Sequence, residues 1–400
     1  MNVCLVYQDH YPWDIRVEKI INALAEKGYT VHILSRNRSN SATYEKIDNN
    51  IYVHRLPVGI GKITKEIINF PAFFSPTWIV KLLSIVIKYN IKLIIVRDLP
   101  LGPLGFIVGK ITNTKTILDM AENYPELIKS TWVYKGPKIQ DYIIRNPYLL
   151  KILEKHLLPI MDGIIVVSKK SQERIKLIIG NKKTPVWIIG NTPRLDASSK
   201  LFYNPLIDKI KNHKSLKMIY TGMVESHRGL DIVLKSIPYV LQNGIDMLFV
   251  VVGKGTYEEK LKTIVNELNI QEHVLFTGWI DSKYIPSIIA LSDICIVPHY
   301  VTEHTKTTIP NKIYDYMLQK KPVIVTNSES LAEIIKFANC GYIYEDNNPE
   351  ELAKIICLLQ NNVLREKLGL SGYNAVVEYY NWENDKKKLY KTIESIFVQE

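Results

Sequence analysis

Short runs of β-branched residues alternate with helix-period segments along this whole chain, and that alternation decides most of what it can fold into. Residues 3–6, 31–34, 93–96, 116–118, 163–167 and 186–189 form a first set of runs. Residues 218–220, 248–252, 274–276, 294–297, 323–325 and 342–344 form a second. Nearly every residue in them is apolar, as in parallel strands covered on both faces. Between them lie segments of 3.6-residue period. Val17, Ile20, Ile21 and Leu24 share one face before Gly28 stops the helix, and Leu230, Val233, Leu234, Ile237 and Leu241 repeat the stripe. Strand–helix alternation of this kind predicts βαβ units and parallel sheets.

The alternation breaks once, over residues 191–216, where Asn191-Thr-Pro193, Asn204-Pro205 and a basic run read as a linker. The chain has 400 residues, and about 150 residues per domain implies two or three domains. The sequence therefore predicts an α/β protein of two facing, doubly wound halves. Residues 1–195 form the first and 196–375 the second. Residues 376–400 form a closing helix, capped by Asn381, that packs back toward the first half. Ligands of doubly wound sheets bind beyond the carboxyl ends of the strands, so two facing halves predict a deep cleft between them.

Composition removes other classes. At 46% hydrophobic and 23% charged, the chain is neither disordered, collagen-like nor a disulfide-stapled mini-protein. Cys4, Cys295, Cys340 and Cys357 form no CxxC pair, and the nine histidines form no HxH or HExxH pattern. No protein-built metal site is expected. With 51 Lys and Arg against 40 Asp and Glu, the net charge is +11, which favours anionic partners. The charge is spread and no nucleic-acid motif occurs, so nucleic acid is not expected. The start of the chain has no basic leader, and Lys81, Lys88 and Lys92 interrupt its most apolar long segment, 77–96. These features read as a cytoplasmic protein. The basic, aromatic-rich stretches 63–92 and 127–156 have the make-up of segments that rest on anionic lipid at the inner face of a membrane. The same make-up also fits core helices with solvated lysines.

Four segments carry candidate chemistry. In the first, Thr221-Gly222 through Arg228-Gly229 to Asp231 joins a strand to a helix. Gly222 permits a tight turn, the helix start offers free N–H groups and Arg228 adds a fork of donors, a combination suited to a diphosphate. An ordinary βα turn with a solvated arginine reads equally well. The second, Gly253-Lys-Gly255 after a strand, is not GxGxxG, because Glu258 holds the third glycine position. Alone it reads as a glycine-rich turn. In the third, Thr307 through Pro310, Asn311 and Lys312 to Asp315, Pro310 fits a helix start and Lys312 a first turn where a bound anion would offset its charge. Asp315 lies one turn along, placed to accept from vicinal hydroxyls. The last is Asp119-Met-Ala-Glu122-Asn-Tyr124-Pro-Glu126, leaving a strand end with three carboxylates. Such residues orient hydroxyls, and as often only form turns.

In order and spacing these segments resemble glycosyltransferase family 4, whose members have the two-domain GT-B fold. Supporting residues include Asp14-Ile-Arg16-Val17, Gly28-Tyr-Thr-Val31, the run from Asp162 to Ser168, Phe276-Thr-Gly278, Lys321-Pro322 and Tyr380-Asn-Trp382. The Asp119–Glu126 segment resembles a subgroup that makes cell-surface polysaccharides and lipid-linked glycans. The resemblance implies a retaining hexosyltransferase that needs no metal or other cofactor. Its partners would be a nucleotide-sugar donor on the second half and a glycan or polyprenyl-linked acceptor on the first. It assigns Arg228 and Lys312 to catalysis, and Gly222, Gly253, Gly255, Gly278, Thr307, Asn311 and Asp315 to the donor. Asp119, Glu122, Tyr124 and Glu126 fall on the acceptor side. Two positions depart from the family: Met223 stands where a diphosphate-binding arginine is usual, and Thr307 where the first of two glutamates is usual. These departures keep open a sugar-nucleotide epimerase or hydrolase, and a non-catalytic partner subunit.

Overall fold

A computed structural model describes residues 1–12, 14–58, 75–139, 141–195 and 202–398. Residues 63–74 of the first basic stretch, residue 140 and the side chains of residues 135, 143 and 144 in the second, and residues 196–201 of the linker lie outside the described residues. The chain divides into two compact units, Met1–Gly190 with Asp385–Glu400, and Asn191–Asn384.

The first unit is one sheet flanked by helices. Its strands are β1 (Asn2–His10), β2 (Thr30–Arg36), β3 (Tyr44–Asp48), β4 (Ile51–Arg55), β5 (Leu93–Arg97), β6 (Lys115–Met120), β7 (Gly163–Val166) and β8 (Val186–Ile188). They lie in the order β3-β4-β2-β1-β5-β6-β7-β8. All pair in parallel except β3, which runs antiparallel to β4. Six of these strands match the apolar runs of the sequence; β3 and β4 do not. Every residue of β3 is exposed, so this edge strand needs no apolar run; β4 is largely buried, but its Ile51 and Val53 alternate with Tyr52 and His54, and the signal of the hairpin is the Asn49-Asn50 turn.

Helix α1 (Ile15–Glu26) begins where the Asp14 carboxylate accepts from the N–H groups of Arg16 (2.8 Å) and Val17 (3.2 Å). Helix α2 (Pro76–Lys88) precedes β5, and α3 (Gly102–Thr112), α4 (Tyr124–Lys135), α5 (Pro147–Leu157) and α6 (Lys169–Ile179) follow it. Leu34, Val96, Leu104, Leu118 and Ile164 belong to one apolar core between sheet and helices.

The second unit has strands β9 (Leu216–Thr221), β10 (Met247–Val252), β11 (Val274–Gly278), β12 (Ile294–Val297), β13 (Val323–Thr326) and β14 (Gly341–Tyr344). They lie in the order β11-β10-β9-β12-β13-β14, all parallel. Renumbered within the unit this is 3-2-1-4-5-6, the Rossmann order. Its longer helices are α7 (Leu230–Gln242), α8 (Glu258–Glu267), α9 (Lys312–Leu318), α10 (Glu329–Ala338), α11 (Pro349–Leu358) and α12 (Asn362–Glu378). The stripe read in the sequence lies on α7, where Leu230, Val233, Leu234 and Ile237 are buried. Separate apolar cores fill the two faces of the sheet.

The last helix, α13 (Trp382–Val398), is capped by Asn381, whose Oδ1 accepts from Asn384 N at 3.0 Å. Its C-terminal part belongs to the first unit. Tyr390 donates to the Ala23 carbonyl (2.8 Å), and Lys386 pairs with Glu26 (2.9 Å). Exposed pairs of that kind contribute about 0–1 kcal/mol, so the buried Leu389, Ile393 and Ile396 carry most of the attachment. Among the described residues, no helix is long and apolar enough to cross a membrane.

Candidate functional site

In the second unit the strand order reverses between β9 and β12, and loops leaving such a pair of strands diverge above a crevice at their carboxyl ends. Gly222 follows β9 directly with φ +128°, a value that favours glycine. Its N–H donates to the Val252 carbonyl at 2.8 Å. A Cβ on it would lie 2.7 Å from Lys312 Nζ. Gly253, with φ +140°, donates to the Gly278 carbonyl at 2.9 Å, and a Cβ on it would collide with the Gly222 carbonyl. The loops after β9, β10 and β11 therefore pack backbone to backbone, with Gly255 beside the Val224 carbonyl.

Lys312 opens α9 and is half-buried, its Nζ 3.8 Å from the centroid of the Tyr220 ring. Among the described residues this Nζ has neither a hydrogen bond nor an ion pair. Burial and then the nearby Arg228 hold the ammonium well below the usual lysine range, against the pull of Asp315. Arg228 ends a short 3₁₀ turn, Ser226–Arg228. Its Nη1 lies 3.2 Å from each ring nitrogen of His299, and its buried Nε has no hydrogen-bond partner. His299 is 1% exposed. Burial and then the cations Arg228 and Lys312 hold its imidazole well below the usual range, so the ring is neutral. Nearby carboxylates are turned to other work. Glu225 accepts from the Thr256 hydroxyl (2.8 Å), and Asp231 from the Tyr300 hydroxyl (2.8 and 2.9 Å). The result is a positive site whose cations form no ion pair among the described residues, a setting that attracts and stabilises an anion.

Of the residues singled out in the sequence, the structure brings Gly222, Arg228 and Lys312 together, with Gly253, Gly255 and Gly278 on the adjoining loops. Asp315 is exposed on α9, and Asn311 is exposed at its cap. Pro310 is not the first helical residue: α9 starts at Lys312, and the Pro310 carbonyl accepts from Ile313 N at 3.2 Å. Thr307 is buried, with its hydroxyl donating to the His304 carbonyl at 3.0 Å. Met223 is 60% exposed, while its carbonyl accepts from the Tyr220 hydroxyl at 2.8 Å. Sequence reading missed His299 and Tyr220. The available signal for His299 was its place two residues past the apolar run of β12, at the reversal point.

In the first unit, the acceptor-side reading of Asp119 gives way to a structural one. Asp119 has no exposure, and its oxygens accept from Arg16 Nη2 (2.6 Å) and Nε (2.9 Å). Arg16 Nη1 also donates to the carbonyls of Ile189 and Gly190, each at 3.0 Å. The carboxylate is thus spent on tying β6 to α1 and the end of β8. Glu126 pairs with Lys151 at 2.5 Å. Glu122 and Tyr124 are half-buried, and burial and then Asp98 push the Tyr124 phenol up. Asp98, which the sequence did not single out, has φ +67° and accepts from Arg97 Nη1 at 2.8 Å. Burial pushes its carboxyl up to about 6 despite that arginine.

Two cavities open at the opposite, amino ends of the strands. One of about 320 Å³ is lined by Lys92, Lys110, Lys115 and Asp162. The other, about 430 Å³, is lined by Lys214, Lys217, Asp293 and Arg365. Neither includes Gly222, Arg228 or Lys312.

Comparison with known proteins agrees with the fold. Residues 206–375 match the family described as glycosyl transferases group 1. An uncharacterized glycosyltransferase of Methanocaldococcus jannaschii, MJ1069, is 25% identical over 395 residues, 96% of this chain and 94% of that one. The poly(ribitol-phosphate) alpha-N-acetylglucosaminyltransferase of Staphylococcus aureus is 21% identical over 276 residues, 66% of this chain and 48% of that one. Sucrose-phosphate synthase from Thermosynechococcus elongatus matches with a TM-score of 0.79 at 17% identity, over 100% of both chains. Anabaena HepE, solved with UDP-glucose, matches with a TM-score of 0.70 at 13% identity, over 99% of this chain and 100% of that one. The shared fold is GT-B.

Proposed function

We propose, from the match of residues 206–375 to the group 1 glycosyltransferases and from the shared GT-B fold, that the chain transfers a hexose from a nucleotide-diphosphate sugar to a glycan or polyprenyl-linked acceptor, with retention and without a metal, in cell-surface polysaccharide synthesis. The carrying observation is that Arg228 and Lys312 meet at the strand-order reversal with, among the described residues, no carboxylate bonded to either. A donor diphosphate supplies the missing anion. HepE, which shares the fold, was solved with UDP-glucose, which favours a uridine nucleotide as the first to try. In this reading the loops at Gly222, Gly253, Gly255 and Gly278 receive the nucleotide, and Asp315 with Asn311 the ribose. Thr307 lies on the sugar side, and acceptor contacts fall to Glu122 and Tyr124.

The chemistry follows from the charges. The bond from the anomeric carbon to the phosphate oxygen breaks, and a bond to the acceptor oxygen forms on the same face. The acceptor's proton passes to the departing phosphate. Negative charge grows on the diphosphate, where Arg228 and Lys312 are already placed. At about 4 Å and an effective dielectric near 20, each unit charge contributes roughly 4 kcal/mol before desolvation. Both groups are only half-buried, so solvent reduces that figure. The role a divalent cation plays in other transferases falls here to these side chains.

The first test is a thermal-shift panel of UDP, GDP, ADP and CDP with chelator present. A ligand at a hundred times its Kd stabilises by about 2.7 kcal/mol, a shift of a few degrees for a chain of this size. One responding nucleotide is expected, and silence from all four overturns the donor-site reading. Turnover must also fall strongly in Arg228→Ala and in Lys312→Ala; near-normal turnover in both would sink the mechanism.

The proposal extends to a membrane surface. In the first unit, Val133, Ile139, Tyr142, Tyr148, Leu149 and Ile152 are all exposed, and the exposed Lys129, Lys138, Lys151 and Lys155 stand among them. Apolar side chains flanked by lysines suit an anionic bilayer. Vesicles rich in phosphatidylglycerol should sediment the protein and neutral phosphatidylcholine vesicles should not; equal behaviour refutes docking.

A further inference from the structure

We propose that His299 is a positioning residue for the diphosphate grip: as a neutral ring it holds the Arg228 guanidinium toward the Gly222 loop. The inference deepens the donor-site reading and rests on it.

The geometry comes from both sides of the strand reversal. Arg228 is carried by the loop after β9 and His299 by the loop after β12. Their loops are locked together: Tyr300 N donates to the His227 carbonyl at 3.3 Å, and a Cβ on Gly229 would collide with the Pro298 carbonyl. The His299 backbone is fixed in turn by the Thr326 hydroxyl, which donates to its carbonyl at 2.8 Å. Arg228 Nη1 lies 3.2 Å from both ring nitrogens. Among the described residues, His299 is the only hydrogen-bond partner of the Arg228 guanidinium, whose remaining donors include the buried Nε. A guanidinium has donors only, so just one of the two ring nitrogens, the one that carries the lone pair of neutral imidazole, can accept from it, and imidazolium has none. The surroundings enforce the neutral form. The ring is buried and faces Arg228, Lys312, His227 and His304, while the carboxylates of Glu225 and Asp231 are engaged elsewhere and Asp315 is exposed on α9. A flexible arginine fixed at one nitrogen, with its other donors free, is pre-organised for a bidentate contact with phosphate oxygens.

The test compares wild type, His299→Phe and His299→Gln. Phenylalanine keeps a packed ring without an acceptor, and glutamine restores an acceptor without a ring. Each protein is titrated calorimetrically with UDP, GDP, ADP and CDP and with the four matching nucleosides. For the nucleotide that binds wild type, His299→Phe should weaken the diphosphate at least tenfold and leave the nucleoside unchanged. His299→Gln should recover most of the loss. Equal weakening of nucleotide and nucleoside would mark a merely structural residue and overturn the proposal. So would full affinity in His299→Phe, with the donor-site reading left standing. If wild type binds none of the nucleotides, the donor-site reading fails and this inference fails with it.

Discussion

Each unit reverses its strand order once, and the two reversal points treat positive charge in opposite ways. In the first unit, between β1 and β5, Arg16 is bound to Asp119, and Arg97 pairs with Asp98 and Asp14. In the second, between β9 and β12, Arg228 rests on an imidazole and Lys312 on a phenol ring. Both places desolvate cations, which costs free energy unless a counter-charge is near. The first unit supplies the counter-charge from its own chain. The second leaves the cost standing. Paired buried cations hold a fold together, whereas uncompensated ones hold a place for an anion from outside.

The largest effect should come from breaking the paired side. Asp119→Asn leaves Arg16 buried with a neutral partner, and unpairing a buried ion costs about 3–5 kcal/mol. Urea unfolding should report that loss. Arg228→Ala should cost clearly less than Asp119→Asn, since it relieves the repulsion of Lys312 and gives up only a contact with the neutral His299 ring, with no buried ion left unpaired. If Arg228→Ala proves as destabilising as Asp119→Asn, the contrast between the two sites is broken. The same Arg228→Ala protein should lose about 10²–10³ in turnover, the range for removing one fixed donor from a developing charge.

The third effect is a pH dependence. The folded, nucleotide-free protein holds Lys312 below its ordinary 10.5, so its ammonium loses a proton at lower pH than in the unfolded chain. The unfolded state then binds more protons over that span, and stability contributed by this group rises with pH there. A bound diphosphate reverses the shift by supplying negative charge, so binding takes up a proton. Nucleotide affinity should fall as pH rises below 10.5, by up to about tenfold per unit, each tenfold being about 1.4 kcal/mol. Lys312→Arg, which stays charged, should flatten that dependence in calorimetry. A wild-type affinity flat in pH would show that Lys312 is already charged before the ligand arrives.

How much of this was legible in the sequence follows from the same physics. Apolar runs mark strands covered on both faces, so the strands from β5 onward, with β1 and β2, were visible, whereas the wholly exposed β3 carried no such mark. Gly222 was legible because its φ of +128° favours glycine, and Gly253 because the Gly222 carbonyl leaves no room for a Cβ there. Arg228 and Lys312 were legible as cations beside strand and helix ends. Asp119 was misread because a carboxylate at a strand end looks the same in sequence whether it meets solvent or Arg16, more than a hundred residues away. His299 was missed for the converse reason. A single histidine has no local pattern, and its role comes from Arg228, which only the strand order brings beside it.

The smallest effect adds charge to the open side. Met223 is 60% exposed beside the carbonyl that holds Tyr220, and Met223→Arg places a second guanidinium there. In the free protein it faces Arg228 and Lys312 without a counter-ion, so stability should drop slightly. With nucleoside diphosphate bound it gains an exposed charge contact, worth about 0.2–1 kcal/mol, or up to roughly fivefold in affinity. Because the contact is exposed, the gain should vanish near 1 M salt, where the screening length is about 3 Å. A gain that survives salt would mean the new arginine is buried against the ligand, with the grip tighter than the present loop implies. No gain at low salt would place the diphosphate away from residue 223. Arg228, held by His299, and Lys312, held by Tyr220, would then form the whole of the grip.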